Sequence, residues 1–152
     1  SMALPTFVSQ NIGAGECERA KKGAAVGTIS SMILAELVGI LYFMWAPYAM
    51  RIFVNAPEAI EFGVIHCRTT ALFFFLLAFS HCAAGVMRGC GKSFMPMAAM
   101  LAFWCGVRIL YVSIAIQIVP VFQTISWAYP LTWFLSSVAF FVSLVRMDWK
   151  KL

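Results

Sequence analysis

Hydrophobic residues fill four long stretches of this 152-residue chain, and short polar segments separate them. The stretches lie at about residues 23–46, 58–87, 94–119 and 125–145. Each has the roughly 20 apolar residues that a helix needs to cross a bilayer. None shows the polar face of a surface helix in a water-soluble protein. The pattern predicts an all-α, polytopic membrane protein with four transmembrane helices.

The ends of these stretches carry further signals. Residues 1–13 are also largely apolar, and we interpret them as the end of a preceding transmembrane helix that begins outside this sequence. Prolines 47 and 57 bound the segment between the first two stretches, and proline favours helix boundaries. We therefore predict a connection at residues 47–57.

Composition supports the membrane interpretation. Apolar residues make up 62% of the chain and charged residues 11%, against about half and a quarter in a soluble domain. This excludes an ordinary soluble enzyme, a disordered tail and a nucleic-acid module. The formal charge of +5 does not indicate nucleic acid, because the basic residues lie in short patches between apolar stretches.

The basic residues are distributed asymmetrically between the two ends of the predicted helices. One side has Arg19, Lys21, Lys22, Arg88, Lys92, Arg146, Lys150 and Lys151, and the other has only Arg51. Cytoplasmic loops of membrane proteins are enriched in Lys and Arg. The pattern predicts a multi-pass protein of the cell membrane whose carboxyl terminus is cytoplasmic.

Small residues recur at every fourth position of the first stretch. They are Gly23, Gly27, Ser31, Ala35 and Gly39. Such a ladder lets a second helix approach the backbone closely, which favours association inside a bilayer. We predict that this face packs against other helices.

Two apparent chemical motifs do not support an enzyme or a metal site. The Gly91-Lys92-Ser93 triplet is found in phosphate-binding loops, but the position of the first glycine in that motif holds Val86. His66 and His81, each followed by a cysteine, lie about 22 Å apart on one helix and cannot share a metal. No nucleophile with a neighbouring base is apparent. We expect no catalytic residues, no metal and no cofactor.

Three charged residues lie inside the apolar stretches: Glu36, Arg68 and Arg108. Counted from the nearest outer proline, they have similar depths of roughly 16–18 Å. Buried charges in membranes usually pair, so we predict an intramembrane cluster in which Glu36 pairs with an arginine, Arg108 being the better partner. The alternatives are that each arginine extends alone to the interface, or that Glu36 binds a cation or proton.

Several segments resemble one known family of transporters. Gln10 to Gly15, followed by Glu18-Arg19-Ala20, resembles the Q-x-x-G-A-G…R-A element of multidrug and toxic compound extrusion (MATE) transporters. Gly85 to Ser93, with Pro96-Met97, resembles the element G-V-L-R-G-x-G-[DK]-[ST]…P-M of that family. Residues 104–109 and 127–133 are similar to its later helices. The loop residues that match these elements are Gln10, Gly13, Gly15, Arg19, Arg88, Gly89 and Gly91.

The resemblance implies a fold of two six-helix lobes. This chain would correspond to the end of helix eight and to helices nine to twelve, so its partners would include the missing helices. Some members carry a membrane-embedded acid on helix ten that takes part in cation coupling, whereas the corresponding residues 73–85 contain no carboxylate.

Two functions are therefore open. The resemblance implies a fragment of an efflux transporter that exports organic, often cationic, compounds by alternating access, driven by Na⁺ or H⁺. The alternative is a self-contained four-helix membrane protein that assembles into an oligomeric channel or small exporter.

Overall fold

The computed structural model describes residues 3–119 and 121–149, and within them the chain is helical with no strands. The helices are α1 (Ala3–Gly13), α2 (Cys17–Phe53), α3 (Pro57–Ala71), α4 (Phe74–Gly89), α5 (Phe94–Met100), α6 (Arg108–Ile118), α7 (Phe122–Ser126) and α8 (Ala128–Val145). A π-helical segment, Leu101–Val107, joins α5 to α6. The all-α prediction is confirmed.

Three helical units among the described residues are long and apolar enough to cross a membrane. They are α2, the continuous unit Phe94–Ile118, and the unit Phe122–Val145 that combines α7 and α8. Helices α3 and α4 qualify together but are bent by 57° at their junction. The number of spans is therefore three, or four with the bent pair counted as one.

Helix α2 is longer at both ends than the sequence pattern indicates. It begins at Cys17 and continues through Pro47 to Phe53, so the prediction of a connection starting at Pro47 is wrong. Proline is tolerated within membrane helices because neighbouring groups satisfy the freed backbone carbonyl. Pro57 does start a helix, since it occupies the first turn of α3, where its missing N–H has no intrahelical role.

The second apolar stretch is not one straight helix. It breaks between Ala71 and Phe74, where Leu72 and Phe73 form a turn. Just before the break, the hydroxyl groups of Thr69 and Thr70 donate hydrogen bonds back to carbonyl oxygens one turn earlier, at 2.8 and 2.9 Å. Such back-bonding favours bending of a helix.

Helix α4 lies at the centre of the bundle, in contact with α1, α2 and α8. Its residues 82–87 are all buried, and Phe140 of α8 packs against Ala83, Ala84 and Met87. A buried serine cluster also joins these helices, because Ser80 Oγ lies 3.0 Å from the hydroxyl groups of both Ser136 and Ser137. Hydroxyl contacts of this kind hold helices together in membranes.

The small-residue face of α2 is an interhelical contact, as the ladder predicts. A Cβ atom on Gly23 or Gly27 would collide with side chains of α1, those of Phe7 and Leu4. At the other end of the ladder, a Cβ on Gly39 would lie 2.5 Å from the carbonyl oxygen of Ala71. The ladder therefore lets α1 and the bent pair approach the α2 backbone.

Candidate functional site

The two loop motifs form the same type of helix-ending turn. After α1, Gly15 has φ +78°. Its N–H donates a hydrogen bond to the carbonyl oxygen of Ile12, and the N–H of Glu16 donates one to the carbonyl oxygen of Asn11 at 2.8 Å. After α4, Gly91 has φ +76° and Lys92 N–H bonds Met87 O at 2.9 Å. Each is a Schellman motif, in which a glycine in the left-handed region satisfies the last carbonyls of the helix.

The remaining motif residues lie near these turns. Gly89 is packed against α1, because a Cβ there would lie 2.7 Å from the carbonyl oxygen of Pro5. Arg19 and Arg88 are exposed, as are Gln10 and Gly13. The motifs therefore shape turns and a close helix contact, and their arginines extend from the surface of the described chain.

Glu36 lies beside the break in the bent pair. Its Oε2 atom accepts a hydrogen bond from the backbone N–H of Phe75 at 3.2 Å. That N–H belongs to the first turn of α4, where backbone donors have no partner within the helix. A carboxylate is a favourable acceptor there, since the helix dipole is positive at this end. Glu36 therefore holds the start of α4.

The register of the bent pair on α2 separates Glu36 from Arg68. The contacts that define it are Glu36 with Phe75, Gly39 with Ala71, Tyr42 with Cys67, and Phe43 with Arg68. Arg68 lies over the Phe43 ring at 5.3 Å, roughly 10 Å along α2 from Glu36. Arg68 is also exposed.

Arg108 has different partners on α8. Its Nη2 donates a hydrogen bond to Thr132 Oγ1 at 2.8 Å, and its guanidinium carbon lies 4.2 Å from the centre of the Tyr129 ring. Its Nε atom is buried and has no hydrogen-bond partner among the described residues. The guanidinium is therefore held by a hydroxyl and an aromatic face.

The structure does not bring the predicted charge cluster together. In the described part of the chain, no ion pair joins Glu36 to Arg68 or Arg108. The two charges bind different groups instead: Glu36 accepts a hydrogen bond from Phe75 N–H, and Arg108 donates to Thr132. The estimate of equal depth also counts from Pro47 as a helix end, whereas α2 continues to Phe53.

A polar cluster around Arg108 is absent from the sequence-based predictions. The His66 ring contacts the Tyr129 ring edge-on at 4.9 Å, and His66 Nδ1 lies 3.3 Å from Ser126 Oγ. Nearby, Gln123 Nε2 donates to Thr69 Oγ1 at 2.8 Å. The sequence feature that indicates such a cluster is the recurrence of hydroxyl and amide residues within apolar stretches. The cluster joins α3, α7 and α8 beside the guanidinium.

The π-helical segment ends directly before Arg108. It covers seven residues, Leu101–Val107, and π-helical turns are rare in proteins and frequent at functional sites. The altered periodicity sets the face of α6 from which Arg108 projects. Two features, the broken pair with Glu36 and the π segment with Arg108, therefore define the candidate site.

Comparison with known proteins assigns the family. The MatE family profile matches residues 1–114. The chain belongs to the MatE family. It is 30% identical over 105 residues to the "Probable multidrug resistance protein NorM" of Thermotoga maritima, an alignment that covers 68% of this chain and 23% of that protein.

A solved structure of the same family has this fold. The crystal structure of MATE in complex with MaL6 superposes with a TM-score of 0.87 at 22% identity, over 97% of this chain and 33% of that one. The chain therefore spans about a quarter to a third of the length of these relatives. The MatE chain described here has the fold of one part of a larger transporter.

Proposed function

We propose that this MatE chain acts as part of a secondary active transporter that exports organic, often cationic, compounds by alternating access. Family membership and the NorM relative support this assignment. The observation that carries it is the broken helix pair beside Glu36. Secondary transporters commonly place binding and coupling groups at interrupted helices inside the bundle.

Glu36 is the residue that we propose responds to the driving ion, Na⁺ or H⁺. It is half-buried, and its carboxylate bonds a backbone N–H rather than an arginine in the described chain. A carboxylate without a neutralising arginine can take up a proton or a monovalent cation. Either event weakens the charge-assisted bond to Phe75 N–H. The start of α4 would then be released, and the bend would change with ion occupancy.

The polar cluster around Arg108 has a supporting role in this proposal. It joins α6 to α8 through Thr132 and Tyr129, and it joins α3 to α7 and α8 through His66. These contacts fix α3 in the bundle, so that a change at Glu36 moves α4 relative to α3. The proposed hinge is the turn at Leu72 and Phe73.

The orientation of the chain is also a proposal, supported by the charge asymmetry. Cys17 and Cys90 would then lie in cytoplasmic loops, and the exposed Asn55, in the turn after α2, would face outward. In intact cells, an impermeant thiol reagent should label an Asn55→Cys variant and spare Cys17 and Cys90. Labelling of Cys17 from outside would reverse the assignment.

Drug resistance separates the two functional hypotheses. We would express the whole reading frame that contains this sequence, and the 152-residue chain alone, in cells that lack their own efflux pumps. We expect cells that express the whole reading frame to resist organic cations, and cells that express the 152-residue chain alone to remain sensitive. Resistance from the chain alone, with a homo-oligomer in detergent, would instead support a self-contained exporter.

A further inference from the structure

A crevice opens at one end of the bundle between the α4–α5 turn and the last turn of α8. Its volume is about 570 Å³. Met87 and Met147 are buried at its lining, whereas Phe94 is 76% exposed beside it. We call this cavity the basic crevice, because Lys92 and Arg146 also line it.

Its charge is uniformly positive among the described residues. Lys92, in the turn after α4, and Arg146, directly after α8, are exposed side chains of the lining, and no acidic side chain belongs to the described lining. Both cations would attract an anion bound in this cavity. The crevice is therefore complementary to a negatively charged group.

The Schellman turn fixes the backbone position of Lys92 at the crevice. Lys92 follows the glycine of the Schellman turn, and its N–H is bonded to Met87 O at 2.9 Å. The next residue, Ser93, makes no side-chain capping bond to α5, so its hydroxyl can donate to a ligand. The turn thus presents an ammonium group and a hydroxyl group side by side.

The walls are apolar as well as basic. Phe94, Met95 and Val142 line the crevice and are exposed. A small inorganic anion would leave these side chains uncovered, whereas a phospholipid would place its phosphate between the cations and its acyl chains along the apolar wall. Basic pockets between transmembrane helices bind anionic headgroups for this reason.

A neighbouring crevice of the same size provides an internal comparison. It also measures about 570 Å³ and shares Met147, but Lys21 is the one cation in its described lining. Both cavities lie at the same end of the bundle, so general attraction to a charged membrane would act on both equally. The paired cations distinguish the basic crevice.

From these contacts we infer that the basic crevice is a binding site for an anionic phospholipid, with its phosphate between Lys92 and Arg146. This site is independent of the transport function proposed above. It also gives a role to the Gly91-Lys92-Ser93 triplet, which does not form a nucleotide-binding loop.

Native mass spectrometry of the detergent-purified protein tests the site. The protein would be titrated with dioleoylphosphatidylglycerol and, separately, with dioleoylphosphatidylcholine. The Lys92→Gln/Arg146→Gln variant should bind phosphatidylglycerol roughly ten- to thirtyfold more weakly, because each basic residue contributes about three- to fivefold. Its phosphatidylcholine binding should be unchanged. The substituted side chains are exposed, and circular dichroism and size exclusion would confirm that the fold is retained.

Two controls keep the result specific. Lys21→Gln removes the same charge from the neighbouring crevice and should leave phosphatidylglycerol binding within about twofold of wild type. Phe94→Ala should weaken binding while leaving both cations in place, and excess inorganic phosphate should not displace the lipid fully.

Three results would overturn the inference. The first is equal phosphatidylglycerol binding by the double variant and wild type. The second is an equal loss in Lys21→Gln. The third is the absence of any bound lipid when the protein is saturated, as expected if another protein segment fills the crevice.

Discussion

The Glu36 carboxylate of α2 accepts a hydrogen bond from the Phe75 backbone N–H of α4 at 3.2 Å, beside the break between α3 and α4. This contact links a charged residue inside an apolar helix to a helix start. A carboxylate in this position has two consequences that can be measured separately. It stabilises the bend through its oxygen atoms, and it makes the bend sensitive to ions through its charge.

The first prediction separates these two contributions by stability. Glu36→Gln keeps an oxygen acceptor for Phe75 N–H and should lower the free energy of unfolding by less than about 1 kcal/mol. Glu36→Leu leaves the N–H without an acceptor and should cost about 1–2 kcal/mol. Unfolding in mixed detergent measures both. Glu61→Leu, which removes an exposed acid on α3, is the control, and equal losses for the two Glu36 variants would contradict the contact.

The second prediction concerns the guanidinium of Arg108 over Tyr129. A double-mutant cycle with Arg108→Met and Tyr129→Leu should give a coupling of about 0.5–2 kcal/mol, since the contact lies within 4.2 Å and is partly desolvated. The matched cycle on Arg68 and Phe43, at 5.3 Å with an exposed arginine, should give a smaller value. Additive losses at Arg108 and Tyr129 would argue against the interaction.

The third prediction tests the first loop motif with two glycines that lie two residues apart. Gly15 has φ +78°, so Gly15→Ala should destabilise the protein by about 1–2 kcal/mol. Gly13 has open space at its Cβ position and an ordinary φ, so Gly13→Ala should be neutral or slightly stabilising. Thermal unfolding of both variants measures the difference. Equal effects would mean that the turn is not the reason for the motif.

The fourth prediction concerns the thiol in the second loop motif. Burial raises the pKa of Cys90, while the nearby charge of Lys92 lowers it in part. Because the thiolate is the reacting form, maleimide labelling of Cys90 should require a higher pH than labelling of an exposed Asn55→Cys thiol. Lys92→Gln should move the Cys90 midpoint higher still.

Labelling of the purified protein in detergent, on a Cys17→Ser/Cys105→Ser background, provides this measurement, because Cys105 is also exposed. The detergent makes both faces accessible, so that pH alone limits the rate. A Cys90 midpoint at or below that of Asn55→Cys would contradict the assigned burial.

The all-helical, membrane-spanning character of the chain and part of its packing could be predicted from the sequence. Apolar length alone indicates membrane spans, and the spacing of Gly23, Gly27 and Gly39 indicates a face of close contact. Both inferences depend on local composition and periodicity, which a single chain displays directly. The structure shows them in α2 and its contacts with α1 and α3.

The charge cluster could not be predicted in the same way. The expected pair of Glu36 and Arg108 treats Pro47 as a helix end, whereas α2 continues six residues further, to Phe53. The break after Ala71 then gives Glu36 a backbone partner. Hydrogen bonding between residues 36 and 75 depends on tertiary register, for which the sequence contains no periodic signal.

Ion-coupled transport by the Glu36→Gln variant is the decisive test of the proposed role of Glu36. The whole protein that contains this chain would be reconstituted in liposomes, and efflux of a fluorescent organic cation would be followed under an imposed pH or Na⁺ gradient. We expect gradient-driven efflux by the wild type, and loss of both efflux and its ion dependence in Glu36→Gln at nearly unchanged stability. If Glu36→Gln shows wild-type efflux with the same ion dependence, Glu36 does not respond to the driving ion.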